Sequence, residues 1–389
     1  EQLLSQQLTL ESAVQLALLN NTSVQALLEN VGVKEADFIQ ASLISNPVFE
    51  GTWRYPNRVE PSINIEYSLL ASFLDIMLRP LRMRTARCDL LAARAATTDA
   101  LLRFIAEVQQ SFAAVAHFEA SLPLLKESVE AKMLSFELSE RLSRAGNVGP
   151  LFVQEHRLHY LEEKYQLDRM ETEERLARGE LASLLGLSSA DCLPKIAPLQ
   201  EPPHLDECSS RLVCLALENS FELEALALET GRIAQAFGLH EWWSETNLWL
   251  GAAAEKEPEG EWVVGPAISV ALPIFNRGQA ERARLWAEFC RSANLWHAKK
   301  VELSSHVEAL CSAYHLQIAN LIDTTLKRIP NAEEALETTL RNYNFMNASV
   351  LDLLSAKEQE LMLKRQEAML KQEAWQTYTA LLRAVGGAL

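Results

Sequence analysis

The sequence has no run of about 18 consecutive apolar residues, which excludes a transmembrane helix. If the chain meets a membrane, strands must do it. Glycine and proline number only 14 each in 389 residues, too few for an all-β protein and ordinary for a helical one. There is no glycine-rich phosphate loop, nucleophile elbow or HExxH motif, so nothing supports an enzyme or a cofactor site. Basic residues are outnumbered, 36 Lys and Arg against 52 Asp and Glu, for a net charge of −16. That excludes nucleic acid as a partner, because phosphates demand clustered cations. It also argues against tight docking on an anionic membrane surface. An acidic wall suits a water-filled path for cations, although acidity chiefly serves solubility. The six cysteines, Cys88, Cys192, Cys208, Cys214, Cys290 and Cys311, form no CxxC pair and leave the compartment open. No signal peptide is visible, and a trimmed export product would open on Glu1-Gln2-Leu3 in the same way.

What is present is a sizeable apolar fraction, 48%, with 23% charged residues, which rules out wholesale disorder. The chain is also written twice. Leu16-Ala17-Leu18-Leu19-Asn20-Asn21 matches Leu215-Ala216-Leu217-Glu218-Asn219-Ser220, and Gly32 and Phe38 match Gly231 and Phe237 at the same offset of about 199. Leu181 and Gly186 pair with Leu381 and Gly386 at the other end. The halves are residues 1–199 and 200–389.

Each half has the same order of parts. An amphipathic helix comes first, Thr9 to about Ser42 and Ser210 to about His240. Two strand-like runs follow, within about 48–70 and about 247–272. In the first half Ile63, Ile65, Tyr67 and Leu69 alternate with Asn64, Glu66 and Ser68 around a turn at Pro56 to Pro61. In the second, Ile268, Val270 and Leu272 oppose Ala267, Ser269 and Ala271, after the polar tip Glu255 to Gly260. Then come long glycine-free tracts, Arg82 to Ala145 interrupted only by Pro123, and Gln279 to Val385 interrupted only by Pro330. A helix of about 65 residues would span about 100 Å. Leu101, Phe104, Ile105, Val108, Phe112 and Val115 recur at coiled-coil spacing. Breaks at 146–150 and 346–349 predict tight turns between antiparallel helices.

Four strands cannot close a barrel, and an open sheet edge does not survive in lipid, so other copies must complete the sheet. Three copies would supply about twelve strands. Trp53, Tyr55, Tyr67, Trp249 and Trp262 suit an aromatic girdle, and Trp242 and Trp243 an interface. A soluble four-stranded sheet packed on helices is the other reading of the pattern.

At these residues the chain resembles the TolC-like outer-membrane factor family. Leu8-Thr9-Leu10-Glu11-Ser12-Ala13 with Asn20-Asn21 is similar to that family's first helix. Leu272 to Gln279 resembles its strand-to-helix junction, and Arg144 to Pro150 its helical tip. Ile76 to Arg82 is closer to the heavy-metal efflux branch than to TolC itself. The resemblance implies a mainly α fold with a small β part. A homotrimer would share a twelve-stranded β-barrel in outer-membrane lipid and extend a long α-helical barrel into the periplasm of a Gram-negative bacterium. It further implies a passive, gated efflux or type I secretion duct that meets a periplasmic adaptor (membrane fusion) protein and an inner-membrane pump. The alternative of another class is a soluble coiled-coil scaffold.

In that family a tyrosine and an aspartate near the second tip help to hold the gate shut, and Tyr343 and Asp352 fall on those positions. Three copies of Asp352 would make an acidic ring. The family's gate arginine and second gate aspartate are replaced by Ala348 and Ser355, so the ionic latch is not preserved. Gly146, Asn147, Val148 and Gly149, with Asn347, Ala348 and Ser349, form tips small enough to receive an adaptor hairpin, and equally serve to end helices. Arg79, Arg82, Arg84 and Arg87, repeated as Arg277, Arg282 and Arg284, oppose the helix dipole, and either acidic neighbours or lipid phosphates would compensate. Cys311 with His315 and His156 with His159 have ligand-like spacing but lack further partners, so packing is expected rather than a metal site.

Overall fold

The computed structural model describes residues 7–55, 63–190, 193–205, 209–240, 248–257, 260–272 and 274–387. The predicted turn at Pro56 to Pro61, and Trp242, Trp243, Cys192 and Cys208, lie outside them. Cys88, Cys214 and Cys290 are free thiols.

The first predicted helix is two, α1 (Leu10–Asn20) and α2 (Thr22–Ser42). Asn21 makes the break. Its backbone is extended, its Oδ1 accepts the Ser23 N–H at 2.8 Å, and its Nδ2 donates to the Leu184 carbonyl at 2.9 Å. The apolar period runs through this break, so the break is silent in the hydrophobic pattern. The second half splits likewise into α5 (Ser209–Asn219) and α6 (Phe221–His240).

The strands are β1 (Val48–Arg54), β2 (Asn64–Ser72), β3 (Leu248–Lys256) and β4 (Trp262–Val270). They form one antiparallel sheet in the order β1-β2-β3-β4. The β2–β3 pair joins the two halves, with Tyr67 opposite Ala254 and Leu69 opposite Ala252. Leu272 falls beyond the end of β4, and α3 (Phe73–Arg144) begins directly after β2, earlier than the tract counted from Arg82. Ser72 caps its start, its hydroxyl accepting the Asp75 N–H at 3.3 Å. Pro80 and Pro123 lie inside α3 without ending it.

The remaining helices are α4 (Pro150–Leu184), α7 (Gln279–Asp323), α8 (Ile329–Asn344) and α9 (Val350–Ala384). A π-turn at Thr324–Arg328 joins α7 to α8, and the Ile329 N–H reaches back to the Thr324 carbonyl. Pro330, which has no N–H and crowds the preceding turn, accounts for this widening.

The chain forms two compact units, each drawn from both halves. One comprises Ala26–Asp99 and Phe221–Val301 and holds the sheet. It is pinned by the ion pairs Arg232–Asp89 at 2.9 Å and Lys299–Glu222 at 3.1 Å. The other comprises Glu1–Gln25, Ala100–Ser220 and Glu302–Leu389. Its core packs Ala13 and Ala17 of α1 against Phe104, Val108, Phe112 and Val115 of α3 and Leu181 and Leu185 at the end of α4. A parallel bridge between Leu8 and Ile196 closes the first half on itself.

Candidate functional site

Strand alternation gives the sheet two different faces. The register puts Phe49, Trp53, Ile65, Tyr67, Leu69, Leu250, Ala252, Ala254, Trp262, Val264, Pro266 and Ile268 on one side. Only Lys256, at the strand end, breaks its apolar character. Glu50, Thr52, Arg54, Asn64, Glu66, Ser68, Glu255 and Ser269 lie on the other, together with Val48, Leu70 and Val263. Arg54 pairs with Glu66 at 3.0 Å, and Asn64 donates to Glu255 at 2.7 Å. The apolar face is uncovered: Phe49, Trp53, Leu69, Trp262, Val264 and Ile268 are all exposed, Val264 at 71%. A sheet packed on helices would have hidden this face, so the packed-sheet reading is set aside.

Trp53, Tyr67 and Trp262 form one aromatic cluster on the apolar face. Tyr67 meets Trp53 edge-on at 5.9 Å and stacks with Trp262 at 6.3 Å. The two stacked rings come from β2 and β4, and they meet because β3 presents alanines between them. Trp249 is a correction to the predicted girdle. It pairs with Ser72 and Ser269 and so lies on the opposite face. Among the described residues the outer edges of β1 and β4 have no strand partner.

The tips are built by one motif used twice. After α3 the Asn147 N–H reaches the Leu142 carbonyl at 2.9 Å and the Gly146 N–H the Ser143 carbonyl at 3.0 Å. After α8 the Asn347 N–H reaches the Asn342 carbonyl at 2.8 Å and the Met346 N–H the Tyr343 carbonyl at 2.9 Å. Both are Schellman turns, whose pivot must take positive φ. Gly146 does so at 77° and Met346 at 60°. The backbones match, whereas the side chains do not. Ala145-Gly146 in the first tip stands where the second has Phe345-Met346, and Met346 is 94% exposed. The predicted turn at 346–349 opens on Met346, and Phe345 lies one residue before it, at the C-cap of α8.

Asp352 belongs to the start of α9. The Ser349 N–H and hydroxyl donate to its carboxylate at 2.8 and 2.7 Å, and the Asp352 N–H returns to the Ser349 hydroxyl at 3.1 Å. This reciprocal capping box holds the carboxyl below its ordinary value, because the Ser349 hydroxyl and N–H stabilise the charged form. The first tip has no counterpart, since Gly149 caps α4 without a side chain and Pro150 follows. Tyr343, at the end of α8, is partly exposed.

Behind the tips, α9 is bound to its neighbours by charge. Lys132 of α3 pairs with Glu358, Arg365 with Glu163 of α4 at 3.1 Å, and Lys364 with Glu333 of α8 at 2.9 Å. Glu360 is buried between Lys357 and Lys364, at 2.9 and 2.6 Å. Burial alone would raise its carboxyl. The two ammonium groups overcome that and hold it below its ordinary value.

The ligand-like pairs are otherwise engaged. The His315 ring lies between the Cys311 carbonyl at 2.8 Å and the Leu205 carbonyl at 3.3 Å, fastening the segment between the halves. His156 and His159 have ring centroids 6.2 Å apart. Burial, then His159 and Lys132, lower the pKa of His156. At the sheet's helical end Arg82 is compensated by Asp75 at 2.8 Å, and Arg284 by Glu281.

No protein-family model matches the chain. It is 23% identical over 392 residues to the cobalt-zinc-cadmium resistance protein CzcC of Cupriavidus metallidurans, covering 97% of this chain and 90% of that protein. Among solved structures, the CmeC outer membrane channel of Campylobacter jejuni superposes with a TM-score of 0.79 at 15% identity, covering 98% of this chain and 86% of that one. The outer membrane protein VceC of Vibrio cholerae superposes with a TM-score of 0.75 at 19% identity, covering 97% and 96%. These likenesses extend over nearly the whole chain and establish its fold.

Proposed function

We propose that this chain, which has the fold of the TolC-like outer-membrane channels, is one third of an outer-membrane efflux duct in a Gram-negative bacterium. The observation that carries the reading is the sheet, with a bare apolar face, a reverse that holds all its polar side chains but Lys256, and two edges unpartnered among the described residues. A sheet of that kind is stable when lipid covers one face, water the other, and neighbouring copies pair its edges. Three chains would close twelve strands around a water-filled lumen, and the long helices would continue the duct through the periplasm. Transport is then gated diffusion, and the chain itself performs no chemistry.

In this reading Tyr343 and Asp352 lie at the gate. Gly146, Asn147, Val148 and Gly149, with Asn347, Ala348 and Ser349, receive the hairpins of a periplasmic adaptor, whose inner-membrane pump supplies the energy. CzcC is named for resistance to cobalt, zinc and cadmium. We infer divalent heavy-metal cations as the cargo here, a choice that the net charge of −16 supports.

Native mass spectrometry of the detergent-extracted particle tests the duct. A trimer released only from the outer-membrane fraction is the expected result. A monomer or dimer that needs no detergent would overturn it and favour a soluble scaffold. In the trimer, Asp352→Asn and Tyr343→Phe should raise the leak current across planar bilayers if these residues hold the gate.

A further inference from the structure

Where each pair of strands hands over to helix, the two halves repeat one sequence spacing, within α3 in the first half and across the segment leading into α7 in the second. In the first, exposed Ile76 and Met77 precede Arg79 and Arg84. In the second, exposed Ile274 and Phe275 precede Arg277 and Arg282. The spacing is identical, each arginine of the second half standing 198 positions after its counterpart, the same shift that relates β2 (64–72) to β4 (262–270). Phe275 is 95% exposed. The acidic residues nearby are already engaged, Asp75 with Arg82 and Glu281 and Glu288 with Arg284. Among the described residues Arg79, Arg84, Arg277 and Arg282 have no carboxylate partner, and Arg282 donates to the Arg277 carbonyl at 3.4 Å.

We propose that these four arginines bind the phosphates of anionic phospholipid headgroups in the inner leaflet of the outer membrane, at two sites per chain. The proposal rests on the membrane duct described above. The apolar pairs stand between the strands and the arginines in both halves, and exposed apolar side chains such as Phe275 bury at the boundary of headgroups and acyl chains. At about 1.5 Å per residue, Arg79 and Arg84 lie about 3 and 10 Å beyond Met77 along the helix. A guanidinium on a long stem reaches the headgroup layer from there. It offers phosphate a two-pronged donor that acidic neighbours do not contest. Each arginine near such a surface strengthens attraction to anionic lipid by about fivefold.

Native mass spectrometry of the purified trimer with added phosphatidylglycerol, and separately with phosphatidylcholine of the same chains, tests this. Wild type should retain phosphatidylglycerol preferentially. The combined Arg79→Gln, Arg84→Gln, Arg277→Gln, Arg282→Gln variant should lose that retention by at least about tenfold while keeping its trimer and β-signal. The corresponding lysine variant should restore most of it, and Arg141→Gln with Arg144→Gln at the tip should change nothing. Unchanged retention in the glutamine variant overturns the proposal. So does a trimer that falls apart with per-chain lipid retention intact, which would assign the arginines to a neighbouring copy. Failure of wild type to embed in bilayers at all would overturn the duct itself, whereas loss confined to headgroup preference leaves the duct standing.

Discussion

Met346 occupies in the second tip the left-handed backbone position that Gly146 occupies in the first, with φ of 60° against 77°. A side chain there costs about 1–2 kcal/mol, and glycine returns about 0.5–1 kcal/mol of this as unfolded-state entropy. Met346→Gly should therefore stabilise the chain by about 0.5–1 kcal/mol, and Gly146→Ala should destabilise it by a similar amount. Denaturant midpoints measure both. A loss of stability in Met346→Gly would mean that the exposed thioether makes a contact worth more than the strain.

The ends of the two halves are locked by glycine against asparagine. Gly186 (φ 71°) packs on Asn20, whose Nδ2 donates to the carbonyls of Leu185 and Gly186 at 2.9 and 3.0 Å. Gly386 (φ 73°) packs on the Asn219 backbone. An added Cβ at 186 would come within 2.9 Å of the Asn20 carbonyl oxygen, and one at 386 would collide with that of Asn219. Gly186→Ala and Gly386→Ala should each cost about 2–3 kcal/mol, from strain and clash together. Asn20→Ala should cost about 1 kcal/mol through its lost hydrogen bonds. Equilibrium unfolding of the three variants checks the ranking.

Leu69 and Ser68 are adjacent in β2 and face opposite ways. Leu69→Arg places a charge on the apolar face, which in lipid costs about 2–4 kcal/mol near the bilayer centre. Ser68→Arg places the same charge on the polar face. The first should reduce assembly into membranes sharply and the second should be tolerated, as read by the fraction recovered in the outer membrane. Equal effects would remove the two-faced sheet as the basis of insertion.

The start of α9 should be acid-sensitive and that of α4 should not. The folded-state pKa of Asp352 lies below its ordinary value of 3.8. Its contribution is therefore fully present above that value and is lost as pH falls through the lower folded one. Amide exchange at the start of α9, taken relative to the intrinsic rate at each pH, should quicken over that acid range in wild type. Ser349→Ala should quicken it already at neutral pH and flatten the dependence. The amides after Gly149, which has no capping side chain, should follow neither trend.

Much of this architecture was legible in the chain. The alternation of Ile65, Tyr67 and Leu69 with Asn64, Glu66 and Ser68 reads directly as a half-polar strand, and the long apolar period as packed helices. Asn20 and Gly186 stood out as repeated residues, but their contact did not, since nothing local relates positions so far apart. The breaks at Asn21 and Ser220 were hidden because the apolar period continues across them. The second tip was hard to read because Met346 does a glycine's work.

The physical division follows the range of the forces. Side-chain periodicity reports the backbone a segment prefers, so the sequence by itself determined helix, strand, turn and their double occurrence. The pairing of β2 with β3, whose ends at Ser72 and Leu248 are far apart in the chain, required the tertiary structure. So did the side on which Trp249 falls, because a shift of one residue in register would have moved it to the other face. The uncovered apolar side and the two open edges are likewise properties of the assembled sheet. No single strand carries them, because an edge or a face exists only once its neighbours are in place.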